Sequence, residues 1–275
     1  MDVDVVRCVY FSPTGTTGAI VKAMAPGLGS PEVRMLNRTR KAARHGETRL
    51  FRDEVVILAS PVYYGRLPET VARYYSTLSA ENTPAVLVVV YGNRAYDDAL
   101  KELYDIAVAR GFVPVAGAAF IGEHSYSSIE QPIAAGRPDV EDLKKAREFG
   151  TLVRKKLDNL DSLKSMEPLI VPGNTPYKEP EGLYRMRSMR QTAAFTPGTD
   201  ASLCTRCDLC AQTCPTGAID PDNLAKTDKE ECILCFQCVK VCPVGARTMK
   251  ELSSSPVVRS IYETCRAREE PEYYL

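Results

Sequence analysis

The stretch from Cys204 to Cys242 constrains this chain more than any other. "CTRCDLCAQTCPTGAID" (204–220) recurs as "CILCFQCVKVCPVGART" (232–248), offset by 28 positions, and both copies read C-x-x-C-x-x-C-x-x-x-C-P-x-G-A. Eight of the ten cysteines lie here. Soft thiolates select iron–sulfur clusters or zinc. Three cysteines two residues apart lie on one tight loop and reach three corners of a cubane, and the proline after the fourth turns the chain away. In such runs the fourth cysteine ligates the other cluster. The spacing therefore assigns Cys204, Cys207, Cys210 and Cys242 to one [4Fe–4S] cluster, and Cys232, Cys235, Cys238 and Cys214 to a second. Structural zinc prefers paired cysteines with wider gaps between the pairs, which makes it the weaker alternative. Cys8 falls inside an apolar run and reads as a small buried hydrophobe. Cys265 stands alone in the tail.

The 275 residues leave room for about two domains. Thirty-five basic side chains balance 35 acidic ones, and no lysine–arginine block stands out, which argues against nucleic acid or an anionic membrane as a partner. The longest apolar runs, such as "PAVLVVVYG" (84–92), are too short to span a bilayer. "MDVDVVRCVYF" at the start lacks a charged-then-apolar signal pattern, so a cytoplasmic location is expected, where disulfides are disfavoured.

Residues 1–160 alternate between strand-like and helical patterns. Apolar runs at 5–11, 32–36, 54–60, 85–91 and 112–121 predict five strands, and the patterns at 16–28, 68–80, 97–110 and 139–158 predict helices. The central runs are apolar throughout, the mark of a parallel sheet covered on both faces, so the expected fold is a doubly wound α/β domain. Residues 161–199 form a Pro/Gly-containing linker in which Leu169, Ile170, Val171, Tyr177, Leu183 and Tyr184 suggest packing. A small domain follows at 200–250. A tail, 251–275, has a helical pattern near Val257–Tyr262 and is expected to pack back on the body.

Three loops follow the first, third and fourth strands. "SPTGTT" (12–17) places hydroxyls at the start of a helix without a lysine or arginine. Backbone N–H groups there bind a phosphate through orphan donors and the helix dipole. The triphosphate pattern G-x-x-x-x-G-K-[ST] and the dinucleotide pattern G-x-G-x-x-G are both missing. The ligand implied is a single phosphate monoester, held by Ser12, Thr14, Gly15, Thr16 and Thr17, with a plain helix cap as the alternative. "SPVYYGRLPE" (60–69) and "YGNRAYDDAL" (91–100) add tyrosines beside backbone amides. In the order 2-1-3-4-5 these loops share one rim at the switch-point crevice, a setting that suits a flavin ring.

Over residues 4–160 the chain resembles the flavodoxin family, through "SPTGTT", "SPVYYGRLP" and "YGNRAYDD". Residues 200–250 resemble bacterial two-cluster ferredoxins, with Pro215, Gly217, Pro243 and Gly245 matching as well. Together the chain resembles flavodoxin–ferredoxin fusion proteins of anaerobes. The resemblance implies FMN, with its phosphate on Ser12–Thr17 and its ring between Pro61, Val62, Tyr63, Tyr64, Gly65 and Tyr91, Gly92, Asn93, Arg94, Tyr96. It makes Gly65 the candidate for a flexible peptide beside the flavin N5, and Asn93 and Arg94 candidates for the pyrimidine edge. Residues 1–160 carry 21 basic and 19 acidic side chains, a net +2, unlike the acidic free-standing flavodoxins. The attached ferredoxin is then the natural first partner.

The function expected is electron transfer between two [4Fe–4S] clusters and FMN, with outside redox proteins as donor and acceptor. The alternative is a ferredoxin-coupled flavin-dependent reductase whose substrate lies over the FMN. No nicotinamide-binding motif is visible. His124, in "IGEHSYSS", lies on the rim side of the sheet and reads as a packed or solvated residue, and His45 as a solvated one. The oligomeric state is left open.

Overall fold

The computed structural model describes residues 3–45, 50–178, 196–249 and 255–275. Its main sheet uses strands β1 (Val5–Tyr10), β2 (Glu32–Asn37), β4 (Val55–Pro61), β6 (Thr83–Tyr91), β7 (Phe112–Ile121) and β10 (Glu272–Tyr274), in the spatial order β2-β1-β4-β6-β7-β10. The five long strands are parallel and stand in the expected 2-1-3-4-5 order. Every residue of β4 and β6 is buried, which explains why these strands are apolar without alternation.

Two helices cover each face. α1 (Thr16–Met24) and α4 (Val140–Asp158) bury Ile20, Val21, Met24, Ala146, Phe149, Val153 and Leu157 on one side. α2 (Glu69–Tyr75) and α3 (Ala99–Ala109) bury Val71, Tyr75, Leu100, Leu103 and Ala107 on the other. The helix 139–158 starts where its sequence says it should. Asp139 accepts the Asp142 N–H, and the Asp142 carboxylate returns a bond to the Asp139 N–H.

Two sequence expectations change. The second helix ends at Tyr75 rather than near 80, because Ser79–Ala80 (β5) pairs in parallel with Leu50–Phe51 (β3). The sheet also has a sixth strand. Three residues of the tail pair antiparallel with β7, Glu272 opposite Ala119 and Tyr274 opposite Gly117, and Tyr273 stacks on Phe149 with ring centroids 4.8 Å apart. A three-residue strand is too short to leave a period in sequence.

The first part of the linker lies on the α/β domain. Leu169 is buried. The buried Asp98 carboxylate accepts bonds from the Asn174 N–H, the Asn174 side-chain amide and the Lys178 N–H, at 2.7–2.9 Å. The Tyr177 ring takes the Arg66 guanidinium at 4.1 Å and its hydroxyl donates to Asp105. Leu183 and Tyr184 lie outside the described residues. The chain resumes in the small domain, where β8 (Gly198–Thr199) pairs antiparallel with β9 (Arg247–Thr248) around two short helices, α5 (Leu209–Thr213) and α6 (Gln237–Lys240). α7 (Pro256–Thr264) then leads to β10.

Candidate functional site

The two cysteine runs are copies in backbone as well as in sequence. Arg206 and Asp208 adopt left-handed conformations, φ 57° and 60°, and Leu234 and Phe236, 28 positions on, repeat them at 54° and 59°. Four non-glycine residues with positive φ are costly, at about 1–3 kcal/mol each, and such strain persists where it aims side chains at a site. The loops border two pockets. One is lined by Cys204, Cys207, Cys210 and Cys242. The other is lined by Cys214, Cys232, Cys235 and Cys238. Each cavity thus combines three cysteines of one run with the fourth of the other. Among the described residues no group of three or more His, Cys, Asp or Glu side chains is placed to hold a single metal ion.

The electrostatics of the cavities differ. Burial pushes the Cys232 thiol up to about 11 and the Cys235 thiol higher still. Burial also acts on Cys242, but the amides of Arg247, Val244, Ala246 and Gly245 outweigh it and bring that thiol below its usual range. Such a nest of N–H groups favours an anion. Cys207 is exposed, whereas Cys235 is buried.

The second cavity lies against the rim of the main sheet. Phe236 packs on Tyr126 with centroids 5.1 Å apart. Lys240 pairs with Glu123, and Arg44 donates to the Pro215 carbonyl at 2.7 Å. The thiols of Cys235 and Cys232 contribute, after burial, to holding the Tyr63 phenol well above its ordinary range.

At that rim the first loop forms the start of α1. Gly15 is its left-handed N-cap, φ 89°. The Ser12 hydroxyl accepts the Gly18 N–H at 3.0 Å, and the Ser12 N–H donates to the Thr39 hydroxyl at 2.8 Å. Part of the loop therefore does act as a helix cap. The amides of Thr16 and Thr17 have no acceptor among the described residues, and the fully buried Thr17 hydroxyl has no hydrogen-bond partner there. Buried polar groups are rarely left so, and an orphaned hydroxyl beside two free amides fits an anionic ligand.

The second loop is a tight turn. Tyr63 and Arg66 exchange backbone bonds at 2.9 and 3.2 Å across Tyr64 and Gly65, both with positive φ. Pro61 is buried, and Val62, Tyr63 and Tyr64 are half-buried. The Tyr64 hydroxyl lies 3.5 Å from that of Tyr126. The Gly65 carbonyl accepts the Asp98 N–H at 3.1 Å, and a Cβ at Gly65 would collide with the Asp97 side chain.

The third loop requires two corrections. The Asn93 amide donates to the carbonyls of Cys265 and Ala267 at 2.8 and 2.7 Å and accepts the Glu269 N–H at 3.3 Å. It clasps the tail, and its donors are used up. The Tyr96 hydroxyl bonds Glu272 and Tyr274, and its ring meets Tyr91 at 5.4 Å, so Tyr91 and Tyr96 also face the tail. Arg94 is exposed and paired with Asp97. Gly92 stays at the rim because a Cβ there would stand 2.4 Å from the His124 ring.

A fourth loop, 123–127, joins the rim; sequence reasoning placed His124 there and missed Ser125 and Tyr126. His124 packs on Gly92 and Tyr126, and its Nδ1 accepts the Tyr126 N–H at 3.0 Å. Burial, then Arg94 and Lys240, lower its pKa to about 4, so the ring is neutral. Tyr63 hydrogen-bonds Ser125. The hydroxyl-rich "HSYSS" after the last strand was the available signal. Tyr63, Tyr64, His124 and Tyr126 are all half-buried, and Tyr126 meets Phe236 of the second cysteine pocket.

Residues 203–246 match the family model described as a 4Fe-4S dicluster domain. This region is a two-cluster ferredoxin-like domain. Preceded by a flavodoxin-like sheet, it fits a flavodoxin–ferredoxin fusion. Similar solved structures include a flavodoxin from the domain Archaea (14% identity, 56% of this chain and 99% of that chain, TM-score 0.36). A Fusobacterium nucleatum flavodoxin bound to flavin mononucleotide has 18% identity, 55% and 98% coverage and a TM-score of 0.38. An oxidised flavodoxin 2 from Bacillus cereus has 16%, 56%, 99% and 0.41. The 2-1-3-4-5 order of the parallel strands is that of the flavodoxin-like fold. No curated protein matches the chain. Among the described residues no helix is long and apolar enough to cross a membrane.

Proposed function

We propose that the chain carries electrons through three groups in a row. An outer [4Fe–4S] cluster is held by Cys204, Cys207, Cys210 and Cys242, an inner one by Cys214, Cys232, Cys235 and Cys238, and an FMN sits at the sheet rim. Clusters pass one electron at a time, and a flavin stores one or two. The observation that carries the reading is the contact between Phe236, which lines the second cysteine cavity, and Tyr126 at the sheet rim.

In this reading residues 1–160, completed by the tail, hold the flavin, and 200–250 hold the clusters. The Thr16 and Thr17 amides and the Thr17 hydroxyl bind the phosphate, with Ser12, Thr14 and Gly15 shaping the loop. Pro61, Val62, Tyr63, Tyr64 and Gly92 border the ring. His124, neutral and packed on Tyr126, stands at the rim without adding charge. The exposed Cys207 marks where an outside redox protein delivers or collects electrons.

Anaerobic purification of the full chain, with flavin, iron and acid-labile sulfide quantified, tests the reading. One FMN and about eight iron atoms are expected, four per cubane. Rapid mixing with a one-electron reductant should reduce the flavin through the clusters, and Cys235→Ala should slow that step while leaving flavin content intact. Zinc in place of iron, or flavin reduction that ignores Cys235→Ala, overturns the relay. Steady consumption of a small-molecule acceptor would make the protein a reductase instead.

A further inference from the structure

The cysteine repeat is symmetric in its thiols but not in what stands behind them. At the 28-residue offset, Ile219 of the first copy corresponds to Arg247 of the second. Ile219 is 3% exposed and packs with Cys210 and Leu224. Arg247 is 2% exposed, which makes it a buried guanidinium where the repeat would allow an aliphatic residue.

A buried charge is costly unless it is paired and fully hydrogen-bonded. Arg247 donates to the carbonyls of Leu224 and Pro197 at 3.1 and 2.9 Å and to the hydroxyls of Thr199 and Thr227 at 2.7 and 3.1 Å. Its Nη2 also reaches the Cys238 Sγ at 3.7 Å. None of these five partners is a carboxylate. Its Nε–H has no partner among the described residues. Neutral acceptors orient a cation but do not neutralise it. Arg247 lines both cysteine cavities, so the thiolates and what they hold place negative charge beside it.

We infer that Arg247 is a fixed internal cation that raises the reduction potential of the inner cluster above that of the outer one, and so directs electrons inward to the sheet rim. The inference rests on the electron-relay reading. Reduction adds one electron and one negative charge to a cluster, and a nearby cation and a hydrogen bond to a ligand sulfur both favour the reduced state. Among the described residues the guanidinium bonds one ligand sulfur, Cys238, which lines the inner cavity. An electron taken by the outer cluster from a low-potential one-electron donor then passes to the inner cluster. The outer cluster is reoxidised, the inner one reduced, and no proton moves or bond breaks.

The test is a potentiometric titration of the full-length protein, followed by electron paramagnetic resonance, after iron, sulfide and flavin have been counted. In the unaltered protein the two clusters should titrate in separate steps, at least tenfold apart in reduction equilibrium, or 59 mV for one electron. Arg247→Ile, which copies the other repeat, and Arg247→Gln should lower the upper step by tenfold or more. Arg247→Lys, which keeps the charge, should preserve most of the separation. An upper step unmoved in a cluster-replete neutral variant overturns the inference. Should neither neutral variant assemble its clusters, the unaltered protein decides: two resolved steps sustain the inference and one merged step ends it. Missing flavin or iron in the unaltered protein would count against the relay itself, so the two failures are distinguishable.

Discussion

Thr17 offers a perturbation whose two effects have opposite signs. The residue is fully buried in the first turn of α1, and its hydroxyl has no partner among the described residues. Valine keeps the shape and removes the hydroxyl. Without ligand, an unsatisfied buried hydroxyl costs about 1–3 kcal/mol, so Thr17→Val should stabilise the deflavinated protein by about that amount. For a chain of this size that is a rise of about 2–4 °C in Tm per kcal/mol. With ligand, the hydroxyl donates to a charged phosphate, a bond worth about 1.5–3 kcal/mol, so the substitution should weaken FMN binding about tenfold to 150-fold. Urea denaturation of the deflavinated protein gives the first number and quenching of FMN fluorescence the second. A deflavinated protein made less stable, with FMN affinity unchanged, would show that the hydroxyl serves the fold and that the phosphate lies elsewhere.

Other substitutions test neighbouring parts of the argument. His124 is neutral when folded, with a pKa lowered to about 4 from 6.5. The unfolded chain therefore binds a proton first, and stability falls as the pH drops from about 6.5 to 4, by at most about 3 kcal/mol; His124→Gln should flatten that slope in denaturation curves taken across the range. Arg7 and Glu54 form a buried ion pair at 2.6 Å near the beginnings of β1 and β4, so Glu54→Ala strands the guanidinium and should cost about 3–5 kcal/mol in urea denaturation, without changing the iron content of the folded protein. Asn93→Ala removes three bonds to the tail; amide exchange at 265–269 should accelerate while FMN affinity stays within about threefold, and a larger loss of affinity would return Asn93 to the flavin.

What the sequence made legible follows from how far apart the interacting residues stand. The central strands β4 and β6 are buried on both faces, so each leaves an unbroken apolar run, and the alternation with helices implies a parallel sheet, whereas the order 2-1-3-4-5 is what the resemblance to the flavodoxin family implies. The cysteine runs carry their geometry within a few residues, which is why the two cavities draw on three thiols from one copy and one from the other. The rim is different, because side chains there are claimed by segments distant in sequence. Asn93 and Tyr96 look like ligand contacts when read beside their own loop, yet they are committed to Cys265, Ala267, Glu272 and Tyr274, some 170 residues on. A three-residue strand has no period to announce it. Tyr126 at the rim meets Phe236 of the small domain, a contact that no local pattern records. Arg247 lies between these cases. The repeat itself exposes the mismatch with Ile219, since the two positions align without a gap, but only the fold reveals that the odd residue points inward. A surface arginine at that position would have been unremarkable. A buried one, ringed by neutral acceptors and bonded to the Cys238 sulfur, makes an asymmetry of sequence into an asymmetry of charge between the two sites.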